Sequence, residues 1–254
     1  MTGPLSESSQ DAGLLSDRAF LDVVLPVLNE EASVARAVAS AHDPAVSAIV
    51  VVDGGSEDAT IAVARDAGAR VIRSSPGRSV QMNAGGQATS AEAVMFLHAD
   101  TVLPPDFGAR IGAALRDPAV VGGRFDVSLS GADVRLRMVE FFMNMRSRLT
   151  GISTGDQAIF VRRHVFEEMK GFREIPLMED VDFTSRLRKL GRVAALQDRV
   201  VTSSRRWEQN GILRTIILMW ALRLAFAIGV GPERLSVLYS RGRPGGGDGL
   251  SRKS

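Results

Sequence analysis

The 254-residue chain contains no cysteine, which removes disulfides, thiolate nucleophiles and Cys-ligated zinc together. Histidine is nearly as scarce, with three residues at 42, 98 and 164, so any bound metal must rest on oxygen or on one of these imidazoles. Their spacing is not that of a metalloprotease, and there is no Gly-x-Ser-x-Gly elbow. Gly122-Gly123 does not make a phosphate loop, and Gly54-Gly55 lacks the third glycine of a dinucleotide fingerprint, which sets kinase and dehydrogenase chemistry aside. Internal repeats are missing, and the only biased tract is the Gly-, Arg- and Ser-rich end from Arg241 to Ser254. Residues 1–20 hold no basic cluster followed by an apolar run, so a secretory signal is not expected and the expected compartment is the cytosol.

The charge is plentiful but uneven. Residues 1–100 carry 6 basic and 13 acidic groups, and residues 101–254 carry 25 and 16. A basic second half attracts diphosphates or anionic lipid. It lacks the interleaved aromatics of a single-strand nucleic-acid platform, so no nucleic-acid partner is expected. Apolar residues at 45% and charged residues at 24% fit a folded soluble domain.

Short β-branched runs alternate with helical patterns in the first half. The pattern predicts strands over Val23 to Val27, Ala48 to Val52, Arg70 to Arg73 and Ala93 to Leu97, with helices over Glu30 to Ala41 and Glu57 to Ala67. Apolar strands separated by helices imply an α/β fold with a mainly parallel central sheet flanked by helices. Ligands of such sheets gather at the carboxyl ends of the strands. Chemistry-bearing residues stand there: Pro26 to Glu31, Asp53 to Ser56, and His98 to Asp100. The second half predicts strands over Val120 to Leu129 and Ala158 to Arg162, helices over Ala132 to Leu149 and Asp180 to Leu190, and one or two strands within 193–203.

Five strings, in order, carry a resemblance. They are Val24-Leu25-Pro26-Val27-Leu28-Asn29-Glu30-Glu31, Val51 to Thr60 around Asp53-Gly54-Gly55-Ser56, Gln81-Met82-Asn83-Ala84-Gly85, Phe96-Leu97-His98-Ala99-Asp100-Thr101, and Met178-Glu179-Asp180-Val181-Asp182-Phe183. Together they resemble family 2 glycosyltransferases of the GT-A fold. The nearest pattern is a small branch with Gly-Arg-x-x-Gln-x-Asn and Leu-His-Ala-Asp. The Asp-x-Asp metal motif of most relatives is altered, since His98 replaces its first Asp. Met82 stands where relatives often have Arg, and Arg78 lies one helical turn earlier.

The resemblance implies a metal-dependent transferase moving a sugar from a nucleoside-diphosphate-sugar to an acceptor hydroxyl, with inversion. It makes Asp100 the metal residue, with Mg²⁺ or Mn²⁺ as cofactor. Pro26, Asn29, Glu30, Asp53, Arg78, Asn83 and His98 fall on the donor side, joined by Arg205, Arg206 and Trp207 as a basic, aromatic-ended clamp for the departing phosphates. Asp180 is implied as the general base, with Glu179 beside it. Gly155-Asp156-Gln157 precedes a strand, where Asp156 and Gln157 can line the acceptor side.

Each residue also has a plainer reading. Asp53 and Ser56 can cap the next helix, Asp100 can cap one starting at Pro104-Pro105, and Arg78 can be a solvated cation. His98 can ligate Mn²⁺, touch a ribose or sit half-buried. Asp156-Gln157 can be a turn pair, Trp207 can pack on the core, and Glu179-Asp180 can serve only a helix dipole. A sugar-phosphate nucleotidyltransferase is the competing enzyme, but it needs a Gly-rich basic loop after the first strand. A non-catalytic nucleotide-binding module is the third alternative.

The expected organisation is a flexible N-terminus (1–20) and one catalytic domain (21–232), followed by a flexible basic tail (233–254). Within the domain lie a nucleotide-binding half (21–101), an acceptor half (102–207) and an apolar helix (208–232). Ile212 to Val230 is the most apolar stretch, yet Arg214 and Arg223 interrupt it and fall on opposite sides of a helix. A helix packed on the domain is therefore expected, with one face and the basic tail open to an anionic membrane surface, as for a peripheral protein with a lipid-linked acceptor. Burial within the protein or in a homodimer is the alternative.

Overall fold

The computed structural model describes residues 18–241. Eight strands form one sheet in the order β3-β2-β1-β4-β7-β6-β8-β5. They are β1 (Leu21–Val27), β2 (Val46–Asp53), β3 (Arg70–Arg73), β4 (Ala93–Phe96), β5 (Thr101–Val102), β6 (Val120–Leu129), β7 (Ile159–Arg162) and β8 (Arg192–Thr202). β1 through β4 run parallel. β7 enters antiparallel between β4 and β6, and β6 pairs with β8 in parallel. The parallel half is the expected one.

Strand alternation builds two core layers. Val23, Leu25 and Val27 join Met95 and Phe125 in one cluster, while Val24 joins Val94 and Phe96 in the other. The helices α1 (Val34–Ser40), α2 (Thr60–Asp66), α4 (Phe107–Leu115) and α5 (Val134–Thr150) contribute to the first layer. The second is covered by α3 (Arg78–Gln87), α6 (Arg163–Glu168) and α7 (Glu179–Leu187).

The sheet must curl. Residues 97–100 fold into a tight turn, with Thr101 N–H bonded to the His98 carbonyl at 3.1 Å. Such a turn cannot cross the ~19 Å that four strand spacings of a flat sheet would put between β4 and β5. Because β5 nonetheless pairs with β8, the far half of the sheet bends back over the ends of β1 and β4. That bend encloses the turn carrying His98 and Asp100.

Helices α1 and α2 begin three to four residues later than their apolar periodicity predicts. The amides that would start them are bonded to the opposite loop. Glu30 N–H donates to Thr60 Oγ1 at 2.7 Å, Glu57 N–H to Asn29 Oδ1 at 2.9 Å, and Ala59 N–H to Glu31 Oε2 at 2.9 Å. Ser56 is not a helix cap either, since its hydroxyl accepts from Asn29 N–H at 2.9 Å.

The chain past β8 forms α8 (Arg205–Asn210), α9 (Ile212–Ala227) and α10 (Pro232–Arg241). The flexible tail expected from residue 233 is corrected as far as Arg241: Leu235 is fully buried against Met178 and Leu222. The remainder of that tail, and residues 1–17 of the expected flexible N-terminus, lie outside the described residues; Phe20 belongs to the core. Among the described residues no helix is long and apolar enough to cross a membrane.

Candidate active site

The site opens where strand order reverses. β1 pairs with β2 along its whole length but with β4 only as far as Val24. Val27 C=O accepts from Gly54 and Val24 C=O from Leu97, so alternate residues address β2 and β4, and Pro26 faces the β4 side beyond the last paired residue. A proline lacks only the N–H that has no partner there. A crevice therefore begins at Pro26, the usual ligand position of a doubly wound sheet. Gln81, from α3, ties the two strand ends by donating to the carbonyls of Val27 and Val52, both at 2.8 Å.

Asp53 is buried, and its carboxylate accepts from the N–H groups of Gly55 (3.1 Å) and Ser56 (3.0 Å). It shapes the turn on the β2 side of the crevice. Asn29 and Glu30 hold the facing loop, and Arg205 stands over Glu30, Nη2 to Oε2 3.8 Å. Asp100, in the turn below, is half-buried, and among the described residues its carboxylate accepts one long hydrogen bond, from Thr101 Oγ1 at 3.5 Å.

A second group of residues faces this rim. Asp180, in the first turn of α7, accepts from Gly155 N–H at 2.8 Å and from its neighbour Val181 N–H at 2.7 Å. Gly155 abuts His98, since a Cβ on it would lie 2.2 Å from Nε2. His98 Nδ1 is 3.2 Å from Asp156. Glu179, 3% exposed, accepts from Arg78 Nη1 at 3.3 Å. Burial, and then the Asp180 charge, push the Glu179 carboxyl above its ordinary range, with Arg78 pulling the other way. Partial desolvation works against the charge of the half-exposed Arg78, but the carboxylates of Glu179, Asp180 and Asp156 outweigh it and raise its pKa. Residues separated by about a hundred positions thus form one electrostatic group.

Two expectations are corrected by this geometry. Asn83 is spent on the fold, donating to the Phe172 carbonyl at 2.9 Å and accepting from Phe172 N–H at 2.8 Å, rather than facing a donor. Gln157 is fully buried and bonds Ser147 Oγ at 3.0 Å and Phe125 C=O at 3.3 Å, so it cannot line an acceptor site. Trp207 is partly buried against the main core. The Arg206 side chain lies outside the described residues. Two further residues carried no sequence signal of a role here: Arg146 and Arg223, whose charges feel Asp180. They come together only because α5 and α9 pack side by side.

Among the described residues, no three carboxylate or imidazole groups cluster closely enough to hold a metal by themselves. One half-buried Asp still suits Mg²⁺ or Mn²⁺, because such ions keep waters and take the rest of their shell from substrate phosphates. His98 fits a ligand role less well, with one nitrogen on Asp156 and the other walled by Gly155.

The family model described as glycosyl transferase family 2 matches residues 22–170. The chain belongs to glycosyl transferase family 2. It is 31% identical over 128 residues to the glycosyltransferase AglJ of Haloferax volcanii, a match covering 46% of this chain and 40% of that protein. The mannosyltransferase PcManGT of Pyrobaculum calidifontis, solved with GDP-Man and Mn²⁺, superposes with a TM-score of 0.63 at 18% identity, over 91% of this chain and 72% of that one. Glucosyl-3-phosphoglycerate synthase of Mycobacterium tuberculosis, solved with Mg²⁺ and UDP, gives 0.54 at 21% identity, over 78% and 75%. These likenesses establish the GT-A fold.

Proposed function

We propose that this glycosyltransferase takes a nucleoside-diphosphate-sugar into the crevice between β1 and β4 and transfers the sugar, with inversion, to an acceptor hydroxyl deprotonated by Asp180. The observation that carries the reading is the convergence of Asp180, Glu179, Arg78, Asp156 and His98 opposite Asp100 at the strand-order reversal. Asp53 and the Asn29–Glu30 loop bound the base and ribose side. In this reading Arg78 and Arg205 grip the diphosphate, whose oxygens suit planar guanidinium donors.

A divalent ion held by Asp100 would neutralise charge on the leaving diphosphate. Asp180 keeps its carboxylate oriented through Gly155 and Val181, and His98 fixes Asp156 at the same loop. The acceptor proton goes to Asp180, the acceptor oxygen bonds the anomeric carbon, and the bond from that carbon to the diphosphate breaks. Attack and departure on opposite faces invert the centre. A contact of the C-terminal helices with an anionic membrane surface belongs to the same proposal, and a homodimer through those helices is the competing arrangement.

The test is thermal stabilisation by UDP-, GDP- and dTDP-sugars with Mn²⁺, because only a ligand bound to the folded state raises stability by mass action. Turnover follows on the stabilising donor. Asp180→Asn should lower turnover by ~10²–10⁴-fold with donor affinity nearly unchanged. Asp100→Ala should abolish metal-dependent turnover while the fold survives. Full activity in either variant, or a product of retained configuration, removes the corresponding assignment.

A further inference from the structure

An apolar groove of about 470 Å³ runs between α5 and the α8–α9 segment, apart from the crevice that receives the donor. The two sides run the same way. Ser130 and Ser204 meet at one end, with their hydroxyls 3.3 Å apart, and Arg146 and Arg223 sense each other's charge at the other. The groove is walled by Met138, Phe142, Met143, Ile216, Met219 and Trp220, among others. From Met138 to Arg146 the wall spans about 12 Å of helix.

The guanidinium end is unusual. Arg146 Nε and Nη2, and Arg223 Nε, are buried without a hydrogen-bond partner. Burial depresses the Arg146 pKa to about 10, with the Arg223 charge adding to the effect and Asp180 opposing it, so the side chain stays charged at neutral pH. Two like charges held together with unfilled donors are costly to a fold. An anion with several acceptor oxygens would satisfy both, and a phosphate takes two guanidinium groups at once. The same end of the groove lies in the field of Asp180 and Asp156.

We propose that the acceptor is a phosphorylated amphiphile, with its phosphate on Arg146 and Arg223, its apolar chain along the α5–α9 groove, and its hydroxyl presented to Asp180. This rests on the transferase reading above. Arg146 and Arg223 act as specificity residues.

The chain has two tryptophans, Trp207 and Trp220, and both line the groove, so intrinsic fluorescence reports its occupancy. The probe is 1-decanoyl lysophosphatidate below its micelle concentration, which carries a phosphate, a hydroxyl and one chain. Its fragments are 1-decanoylglycerol, without the phosphate, and glycerol 3-phosphate, without the chain. The lysophosphatidate is expected to shift the emission and to bind at least about tenfold tighter than either fragment.

The double variant Arg146→Met, Arg223→Met should lose that tenfold preference while its melting temperature holds or rises, since two like charges with buried, unfilled donors are removed at the loss of one hydrogen bond, from Arg146 Nη1 to the Ile152 carbonyl. A merely structural role predicts a lower melting temperature. Met138→Glu, at an exposed position on the rim, guards against a folding failure and should weaken binding to a similar degree. Equal binding of decanoylglycerol, or unchanged binding by both variants, overturns the proposal; glycerol 3-phosphate binding as tightly as the lipid overturns the role of the groove. Calorimetry of UDP or GDP with Mn²⁺ on the same protein separates the two readings. Amphiphile binding without nucleotide binding would defeat the transferase reading and leave the groove standing.

Discussion

Glu179 and Asp180 are adjacent carboxylates in different surroundings, and the difference is measurable. Glu179 is buried and its pKa lies above the ordinary 4.5. A carboxyl raised on folding contributes stability that is fully present below 4.5 and is lost as the pH climbs through the folded value. Thermal melts from pH 4 to pH 8 should therefore show Glu179→Gln gaining on the parent as the pH rises, with the gain levelling off above the folded pKa. A constant difference across the range would mean that Glu179 titrates normally. Gly155 supplies a second residue-level test, since any Cβ there meets His98 Nε2 at 2.2 Å. Gly155→Ala should displace the His98–Asp156 pair and the amide that orients Asp180. A misplacement of that size can cost about 10²-fold in turnover, with donor binding spared. Adding His98→Ala should recover part of the loss; if the double variant is no better than the single one, the clash is not the cause. Residue types at strand ends marked Asp53 and Asp100 as candidates in the sequence, and the resemblance added Asp180, which lies in the first turn of α7. Asn83 and Gln157 were misleading because a motif shows which residue is present, not whether its amide is used by backbone brought in from positions such as 172 and 125.

At the scale of elements, periodicity located β1, β2 and β4 because each carries an apolar run bounded by turn residues, and β3 because Val71-Ile72 stand between two exposed arginines. It overran α1 and α2, since apolar spacing carries no information about amides captured by a neighbouring loop. The two-residue β5 escaped notice entirely, as among the described residues it pairs only with β8, a hundred residues later. The join between α3 and the sheet shows why Gly85 occupies its place in the Gln81–Gly85 string. A Cβ there would lie 2.2 Å from Val24 Cγ1 and 2.9 Å from Val52 Cγ2. Gly85→Ala should accordingly destabilise the fold by about 1–3 kcal/mol through overpacking. Denaturant unfolding checks this, and a stability within a few tenths of the parent would show that the helix can slide without cost. The same helix carries Arg78 and Gln81, so the variant should also weaken nucleotide binding.

Over the whole molecule, the C-terminal segment does two things at once. Inward, Leu222 and Leu235 pack beneath Met178, the residue immediately before Glu179 and Asp180, so α9 and α10 support the start of α7. Outward, Leu213, Ile217, Trp220, Leu224 and Ile228 form an exposed stripe on α9 and the residues that follow it, at helical spacing, and Met138, Phe141, Phe142, Met145 and Leu149 form another on α5. A helix apolar on both faces explains why the sequence offered neither a membrane span nor a clean amphipathic pattern. Arg223 turns inward while Arg214 is exposed. Two exposed stripes on parallel helices, beside a chain half with 25 basic against 16 acidic groups, suit an anionic bilayer surface. Full-length protein should co-sediment with anionic liposomes, less with neutral ones, and less again at high salt. A truncation ending before Gly211 should lose the binding. Failure of soluble, folded full-length protein to bind anionic liposomes would sink the membrane-surface arrangement, and a concentration-dependent dimer that dissociates on Trp220→Glu would assign the stripes to a second copy of the chain instead.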